Sequence, residues 1–249
     1  VCSSDLNIMQ ISNIKRLIFG TMAVAFVVAM TAGTISPAQA EDDSKIAHGG
    51  LLYDKWYGIT EGDIPRKTNA SYPTTAKKKG KTTWRCKECH GWDYRGVDGA
   101  YGDTSNSHHT GLKGIRGAAG MDPAKIVASL KSATHGYTSD MMTDMEFNNL
   151  AMFVSKGQVD MSKIIDGKMI KGDKVRGKNL YSTICAGCHG DDGKKIKDMP
   201  PLGEVAKANP WETIHKIRNG QPGEKMPALR ALPLDVSVDI AAHSQTLPE

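Results

Sequence analysis

The feature that most constrains this chain is a pair of C-x-x-C-H motifs within 249 residues. The six residues concerned are Cys86, Cys89, His90, Cys185, Cys188 and His189. This spacing is the attachment pattern of c-type haem, because two thiols one helical turn apart can bond the vinyl groups while the adjacent histidine ligates the iron. The sequence therefore predicts two covalently attached haems, with iron ligated by His90 and His189.

Two other kinds of site use paired cysteines. Two C-x-x-C pairs can build a four-thiolate zinc site, and each pair could instead close a disulfide. Here a histidine directly follows each pair, which neither alternative requires. The only other cysteine, Cys2, lies at the N-terminus, so none is left for a structural disulfide elsewhere. The pattern favours haem over both alternatives.

The first forty residues have the three parts of a secretory signal peptide. Lys15 and Arg16 form a basic region, residues 17–30 are almost wholly apolar, and an A-x-A site ends at Ala40. The apolar core is short for a retained membrane anchor, which needs about 20 residues. We expect cleavage after Ala40, a periplasmic protein and no membrane span afterwards. Residues 1–6 resemble a translated sequencing adapter.

The charge of the chain is mildly basic. It has 32 basic and 27 acidic residues, and the part after Ala40 keeps 30 and 26 of them. No basic helix or strand interleaved with aromatic residues is present, so a nucleic-acid partner is not expected. Residues 77–79 are three lysines, and Lys81 follows. This run fits a solvated loop or a docking patch for an acidic redox partner.

An internal repeat divides the chain into two units of similar plan. The first unit covers residues 41–158 and carries an insertion at 58–83 with no clear hydrophobic period. A linker at 159–173 leads to the second unit, residues 174–249. Each unit has a helix before its motif, a helix that begins at proline and a final helix. The matching pairs are Gly49 with Gly177, Leu52 with Leu180, Tyr53 with Tyr181, Pro123 with Pro210, and Ala151 with Ala241.

Local signals place the helices of this plan. Asp122 before Pro123 indicates a helix start, and Thr143 with Glu146 has the spacing of a capping box. Residues 41–47 are polar, and we expect them to be frayed ahead of a helix that begins near residue 50.

The second unit resembles a class I c-type cytochrome, on its N-terminal helix, its motif followed by Gly190, its Pro-Leu-Gly loop and Met226-Pro227. The first unit resembles a diverged copy. The resemblance to periplasmic dihaem cytochromes c implies an all-α fold of two tandem domains, each wrapped around one haem. It also implies electron transfer with periplasmic or membrane-bound redox proteins.

The sixth iron ligand of each haem decides whether the iron is closed or open to small molecules. In the second unit Met226, on the loop before the last helix, is the expected ligand, although methionine also fills core gaps. In the first unit, alignment of the final helices favours His135, and Met141 is its rival. His108 and His109 lie in a glycine-rich loop and are expected to form hydrogen bonds rather than ligate iron.

Two functions are consistent with these features. The first is a dihaem electron carrier without catalytic residues, because no other catalytic constellation is recognisable. The alternative is an enzyme, or the haem subunit of one, that oxidises sulfur anions such as thiosulfate or reduces peroxide. The insertion, His108, His109 and Arg116 are the features that favour the alternative.

Overall fold

The computed structural model describes residues 37–249, and the predicted signal peptide lies outside this range except for its last four residues. The helices are α1 (Pro37–Lys55), α2 (Cys86–His90), α3 (Pro123–Leu130), α4 (Asp144–Met152), α5 (Lys174–Ile184), α6 (Ala186–His189), α7 (Leu202–Ala208), α8 (Pro210–Asn219) and α9 (Leu234–Ser244). Strands β1 (Ile165–Asp166) and β2 (Met169–Ile170) form a short antiparallel hairpin. The described chain is mostly helical, as the sequence predicts.

Side-chain hydrogen bonds cap the N-termini of the helices whose starts the sequence predicted. The Asp122 carboxylate accepts a hydrogen bond from the backbone N–H of Ala124 at the start of α3. Thr143 and Glu146 form a reciprocal capping box at the start of α4. The Asn209 side chain caps α8 by accepting from the backbone N–H of Glu212, and α3 and α8 both have a proline at the first helical position. These caps satisfy backbone donors that have no partner inside the helix.

Helix α1 is longer than predicted. The expectation that residues 41–47 are frayed is wrong, because they are helical. Ile46 and Ala47 are buried, and Lys45 forms an ion pair one turn back with Glu41 at 2.6 Å. The polar residues of this turn cover its solvent side, while the apolar pair stabilises it by burial.

Two glycines let helices cross closely at equivalent points of the repeat. A Cβ atom at Gly49 would lie 2.0 Å from the backbone oxygen of Asn149, in α4. A Cβ atom at Gly177 would lie 2.0 Å from the backbone oxygen of Asp239, in α9. No side chain fits at either position, so α1 crosses α4 as α5 crosses α9.

Matched tyrosines tie the same helices to the haem motifs. The Tyr53 hydroxyl donates a hydrogen bond to the Gly91 carbonyl at 2.6 Å, and the Tyr181 hydroxyl donates one to the Gly190 carbonyl at 2.7 Å. Each glycine directly follows its motif histidine and has a positive φ, 78° for Gly91 and 80° for Gly190. The chain therefore leaves the helix of each motif with the same backbone turn and the same tyrosine hydrogen bond.

The segment predicted as a linker, residues 159–173, is packed. Met161, Ile165 and Ile170 are buried and belong to one hydrophobic cluster with residues from both halves of the repeat. A Cβ atom at Gly172 would lie 2.8 Å from the backbone oxygen of Val238 in α9. The described residues, 37–249, belong to one compact unit.

A buried polar junction joins α1 to α8. His215 donates from Nε2 to the Gly50 carbonyl at 3.0 Å, and its Nδ1 is 2.8 Å from the Tyr94 hydroxyl. Beside it, Lys216 Nζ lies 2.9 Å from a carboxylate oxygen of Asp54. Because a carbonyl oxygen only accepts, Nε2 carries the proton and Nδ1 accepts from Tyr94. The first half of the chain is thus hydrogen-bonded to the second through one neutral histidine.

Candidate haem sites

The first motif forms α2, and both of its cysteines are half-buried free thiols. The sulfur of Cys86 lies 3.8 Å from the hydroxyl oxygen of Tyr137, which donates a hydrogen bond to the Trp84 carbonyl at 2.6 Å. Burial raises the pKa of Cys86 to about 11, so the thiol is protonated at neutral pH. This thiol and Cys89 are the predicted attachment points of the first haem.

The structure brings together His90 and His135, the two histidines predicted as ligands of the first iron. Their ring centres are 6.3 Å apart, with an angle of 44° between the ring planes. Two imidazoles bonded at about 2.0 Å on opposite sides of one metal ion have ring centres about 6 Å apart. The separation of these rings matches what a shared iron requires.

Hydrogen bonds fix the tautomers of both rings. His90 Nδ1 lies 2.7 Å from the Lys113 carbonyl oxygen, and His135 Nδ1 lies 3.0 Å from the Ser129 carbonyl oxygen. Since a carbonyl oxygen cannot donate, each Nδ1 carries a proton, and in the neutral tautomer the lone pair is on Nε2. Burial also lowers the pKa of His90, which favours the neutral form that metal ligation needs. Both rings therefore fit an iron.

The insertion at 58–83 packs on the segment that carries His135. Asn69 donates from Nδ2 to the His135 carbonyl at 3.1 Å, and Asp63 N–H donates to the Asp140 carbonyl at 2.8 Å. A Cβ atom at Gly62 would lie 2.1 Å from the backbone oxygen of Met141. The sequence did not point to Asn69, because a lone asparagine in an irregular loop has many ordinary roles.

The other candidates near the first motif have protein partners. His108 Nδ1 is 2.7 Å from a carboxylate oxygen of Glu88, and His109 Nδ1 donates to the Tyr101 carbonyl at 2.8 Å. Arg116 forms a long ion pair of 3.9 Å with Asp160. Met141, the rival candidate, is half-buried and packs against the hydrophobic cluster, and the buried Met142 is part of that cluster.

The second motif follows α5 directly and forms α6. Cys185 and His189 are half-buried, and Cys188 is exposed. Burial lowers the pKa of His189. Its Nδ1 atom is buried and has no hydrogen-bond partner among the described residues. The ring is thus neutral at neutral pH, but its orientation is not fixed by a protein acceptor.

Met226 lies on the loop between α8 and α9. Its side chain is half-buried and packs against the hydrophobic cluster. The Leu229 N–H donates to the Ile217 carbonyl at 2.9 Å, which ties this loop to α8. The thioether is therefore on the loop where the sequence expected the second sixth ligand.

The residues between the two cysteines differ in their surroundings. Glu88 is 1% exposed, whereas Gly187 is exposed and a Cβ atom there would contact nothing within 4 Å. Burial alone would raise the pKa of Glu88, but hydrogen bonds and charges from His108 and Lys87 outweigh it and lower the pKa to about 2. Glu88 is therefore ionised and anchors the loop that covers the first motif.

Within residues 37–249, no group of three or more histidine, cysteine or carboxylate side chains could hold a metal ion. The four cysteines in this range are free. No helix in the same range is long and apolar enough to cross a membrane.

Comparison with known proteins gave one match. A family model described as cytochrome c oxidase, cbb3-type, subunit III, matches residues 172–242. Neither a curated protein nor a solved structure matches the chain. The matched stretch contains the second motif and Met226, and the first motif lies outside it.

Proposed function

We propose that the chain is a periplasmic dihaem cytochrome c, on the premise that residues 172–242, which match the family model, are a c-type cytochrome domain that binds haem covalently and transfers electrons. It carries electrons between redox proteins and binds one haem at each motif. The observation that carries the proposal is the pairing of His90 with His135, whose ring centres are 6.3 Å apart and whose Nδ1 atoms both donate to carbonyls.

The repeat supports a haem at the first motif. Gly49 and Gly177 make the same helix crossing, and Tyr53 and Tyr181 hold the residue after each motif histidine. A scaffold that presents a haem ligand in the second unit is therefore present in the first. Cys86 and Cys89 supply two thiols on the same helical turn as His90.

The ligands set the two potentials apart. When bound, haem iron exchanges single electrons between its ferric and ferrous states. A methionine opposite histidine raises the potential of such an iron. With His90 and His135 at one site and His189 and Met226 at the other, the first site is the more reducing. With haem bound at both sites, these residues would favour electron flow from the first site to the second.

The structure does not favour the alternative of an enzyme that oxidises sulfur anions or reduces peroxide. His108 pairs with Glu88, His109 with the Tyr101 carbonyl, and Arg116 with Asp160. His90 and His135 would both hold the first iron and would leave no position for a substrate. A closed iron transfers electrons without binding a substrate.

Location and partners complete the proposal. The predicted signal peptide, with its A-x-A site ending at Ala40, supports export to the periplasm, where c-type haem is attached. The partners are periplasmic or membrane-bound redox proteins.

The test is haem stoichiometry with low-temperature EPR on the oxidised protein after periplasmic expression. We expect two haems per chain and two low-spin signals, one from two histidines and one from histidine and methionine. Cys86→Ser with Cys89→Ser, and the matched pair Cys185→Ser with Cys188→Ser, should each remove one signal. A single haem per chain, or a high-spin iron that binds cyanide readily, would overturn the proposal.

A further inference from the structure

The net positive charge of residues 37–249 comes from the insertion, residues 58–83. This segment has six basic and two acidic residues, and the rest of residues 37–249 has equal numbers of each, 24 and 24. The basic residues of the insertion are Arg66, Lys67, Lys77, Lys78, Lys79 and Lys81, and all except the half-buried Lys78 are exposed. The excess of basic over acidic residues in this range is therefore confined to one segment and is not spread over the molecule.

This charged segment lies on the first haem site. Asn69, within the segment, donates a hydrogen bond to the His135 carbonyl. Trp84 follows the segment directly, and a Cβ atom added at Gly136 would lie 3.8 Å from its indole ring. Trp84 also donates from its indole nitrogen to the Lys67 carbonyl at 2.9 Å. A protein bound to the insertion would thus be next to the sixth ligand of the first iron.

A series of aromatic rings leads from this surface to the haem attachment point. Tyr57 is half-exposed, and the ammonium groups of Lys55 and Lys81 lie 5.8 and 6.0 Å from its ring centre. Trp56 contacts Tyr57 at 5.4 Å and Tyr137 at 6.2 Å between ring centres. The Tyr137 hydroxyl is 3.8 Å from the sulfur of Cys86.

We propose that the insertion, together with Lys55 and Tyr57, is a docking surface on which an acidic redox protein exchanges electrons with the first haem. The basic residues attract the acidic face and orient it. Tyr57 and Trp56 fill the space between the bound partner and the Cys86 thioether. In the exchange one electron passes between partner and iron, and no bond or proton is transferred. This inference rests on the proposed haem at the first motif.

The occupant is a protein rather than an anionic membrane surface. Basic residues alone attract a protein weakly to anionic lipid, and stable membrane binding adds an amphipathic helix with an apolar face or a lipid anchor. Within the described residues of the insertion, the only large hydrophobic side chain that is strongly exposed is Ile64, at 44%. The insertion is made of turns and one short 3-10 helix, Gly80–Trp84, at its end. The aromatic contacts to Cys86 serve a redox partner and have no use at a lipid surface.

The experiment measures reduction of the oxidised holoprotein by a reduced plant-type [2Fe–2S] ferredoxin, a strongly acidic one-electron donor, in a stopped-flow instrument. The test variant carries Lys77→Glu, Lys79→Glu and Lys81→Glu. The matched control carries Lys168→Glu, Lys174→Glu and Lys178→Glu, three exposed lysines outside the insertion. Both variants change the net charge equally. Haem content and EPR of each variant are recorded first, so a missing first haem is seen separately from a docking defect.

At low ionic strength the test variant should react at least tenfold more slowly than the wild type, and the control less than threefold more slowly. The rates of the three proteins should converge in 1 M salt, where the Debye length is about 3 Å and attraction between surface charges is screened. Tyr57→Leu should slow electron transfer even at saturating ferredoxin, because it removes the ring between the partner and Trp56.

Equal slowing of both charge variants would mean general attraction and would overturn the proposal. So would an unchanged rate in the test variant with two intact haems. Vesicles of phosphatidylserine and phosphatidylcholine provide the membrane arm. Sedimentation of the wild type but not of the test variant with these vesicles, alongside unchanged ferredoxin kinetics, would assign the insertion to lipid and overturn the docking of a protein.

Discussion

At the first motif Glu88 is buried beneath the loop that carries His108, whereas at the second motif Gly187 and Cys188 face solvent. The helices that hold the two motifs are nevertheless arranged alike, with the same glycine crossings and the same tyrosine hydrogen bonds. The comparison teaches that one scaffold can present the same attachment motif in two different environments. The environment, not the motif, would therefore set the two proposed haems apart.

The two motif histidines also differ in whether Nδ1 has a hydrogen-bond acceptor. His90 Nδ1 donates to the Lys113 carbonyl, and His189 Nδ1 is buried without a partner among residues 37–249. A donated Nδ1 proton makes an imidazole a more basic ligand and stabilises the oxidised metal. With haem bound, this difference and the proposed ligands would both lower the potential of the first site relative to the second.

Exchange of the sixth ligand has the largest expected effect on this difference. In His135→Met the first site takes the proposed ligand set of the second. Its potential should rise by on the order of a hundred millivolts or more, because axial ligands span about 0.8 V among haem proteins. Redox titration followed by visible spectroscopy measures both haems in one sample, and the second haem is the internal reference.

The matched change is Met226→His, which should lower the potential of the second site and bring it toward the first. Met141→Leu should leave both potentials and both EPR signals unchanged. If instead Met141→Leu changes the first signal and His135→Met does not, Met141 is the ligand of the first iron.

The motifs and the repeat could be read from the sequence because they depend on local spacing. Tyr53 and Tyr181 were recognisable as matching positions, but their hydrogen bonds to the glycines after the motifs depend on the helix crossings. His215 and Asn69 carried no signal, since their partners Gly50 and His135 are distant in sequence. The packing of residues 159–173 was also hidden, because polar residues alternate with the few apolar ones that are buried.

The junction between the halves should make the protein sensitive to acid. Burial, with the nearby charges of Lys216 and Arg230, lowers the pKa of His215 to about 4 although Asp54 opposes this. The unfolded chain binds that proton near pH 6.5, so stability falls as the pH drops from about 6.5 to 4. Between pH 7 and pH 5 the loss is about 2 kcal/mol. Guanidinium unfolding at several pH values measures it.

His215→Gln is the control for this dependence. The amide can donate to the Gly50 carbonyl and accept from Tyr94, but it does not titrate. Its free energy of unfolding should vary less between pH 7 and pH 5 than that of the wild type, by about the same 2 kcal/mol. A parallel pH profile in the two proteins would show that His215 does not cause the acid sensitivity.

The matched tyrosines test whether the two scaffolds are equally dependent on the same hydrogen bond. Tyr53→Phe leaves the buried Gly91 carbonyl without its donor, and we expect a loss of about 1–3 kcal/mol. Tyr181→Phe leaves the half-buried Gly190 carbonyl, which water can reach, so the loss should be nearer 1 kcal/mol. Thermal and guanidinium unfolding of both variants give the two values. A larger loss for Tyr181→Phe would contradict the role assigned to burial.

The smallest effect concerns the hydrogen bond from Asn69 to the His135 carbonyl. The second unit lacks the insertion and has no counterpart of this bond. Asn69→Ala removes the hydrogen bond to the His135 carbonyl, worth about 1 kcal/mol, and should speed amide exchange across residues 135–141. Binding of imidazole at the first iron should strengthen about fivefold, since the sixth ligand is released more easily.

Asn106→Ala is the matched control for this last change. Each asparagine accepts a hydrogen bond from the backbone N–H two residues ahead, Asn69 from Ser71 and Asn106 from His108. Asn106 also donates a hydrogen bond to a backbone carbonyl, that of Ala100 at 3.1 Å. It lies in the loop over the motif and does not contact His135. If Asn106→Ala strengthens imidazole binding as much as Asn69→Ala does, the effect reflects general loosening of the first unit. A response confined to Asn69→Ala means that the insertion itself holds the sixth ligand in place.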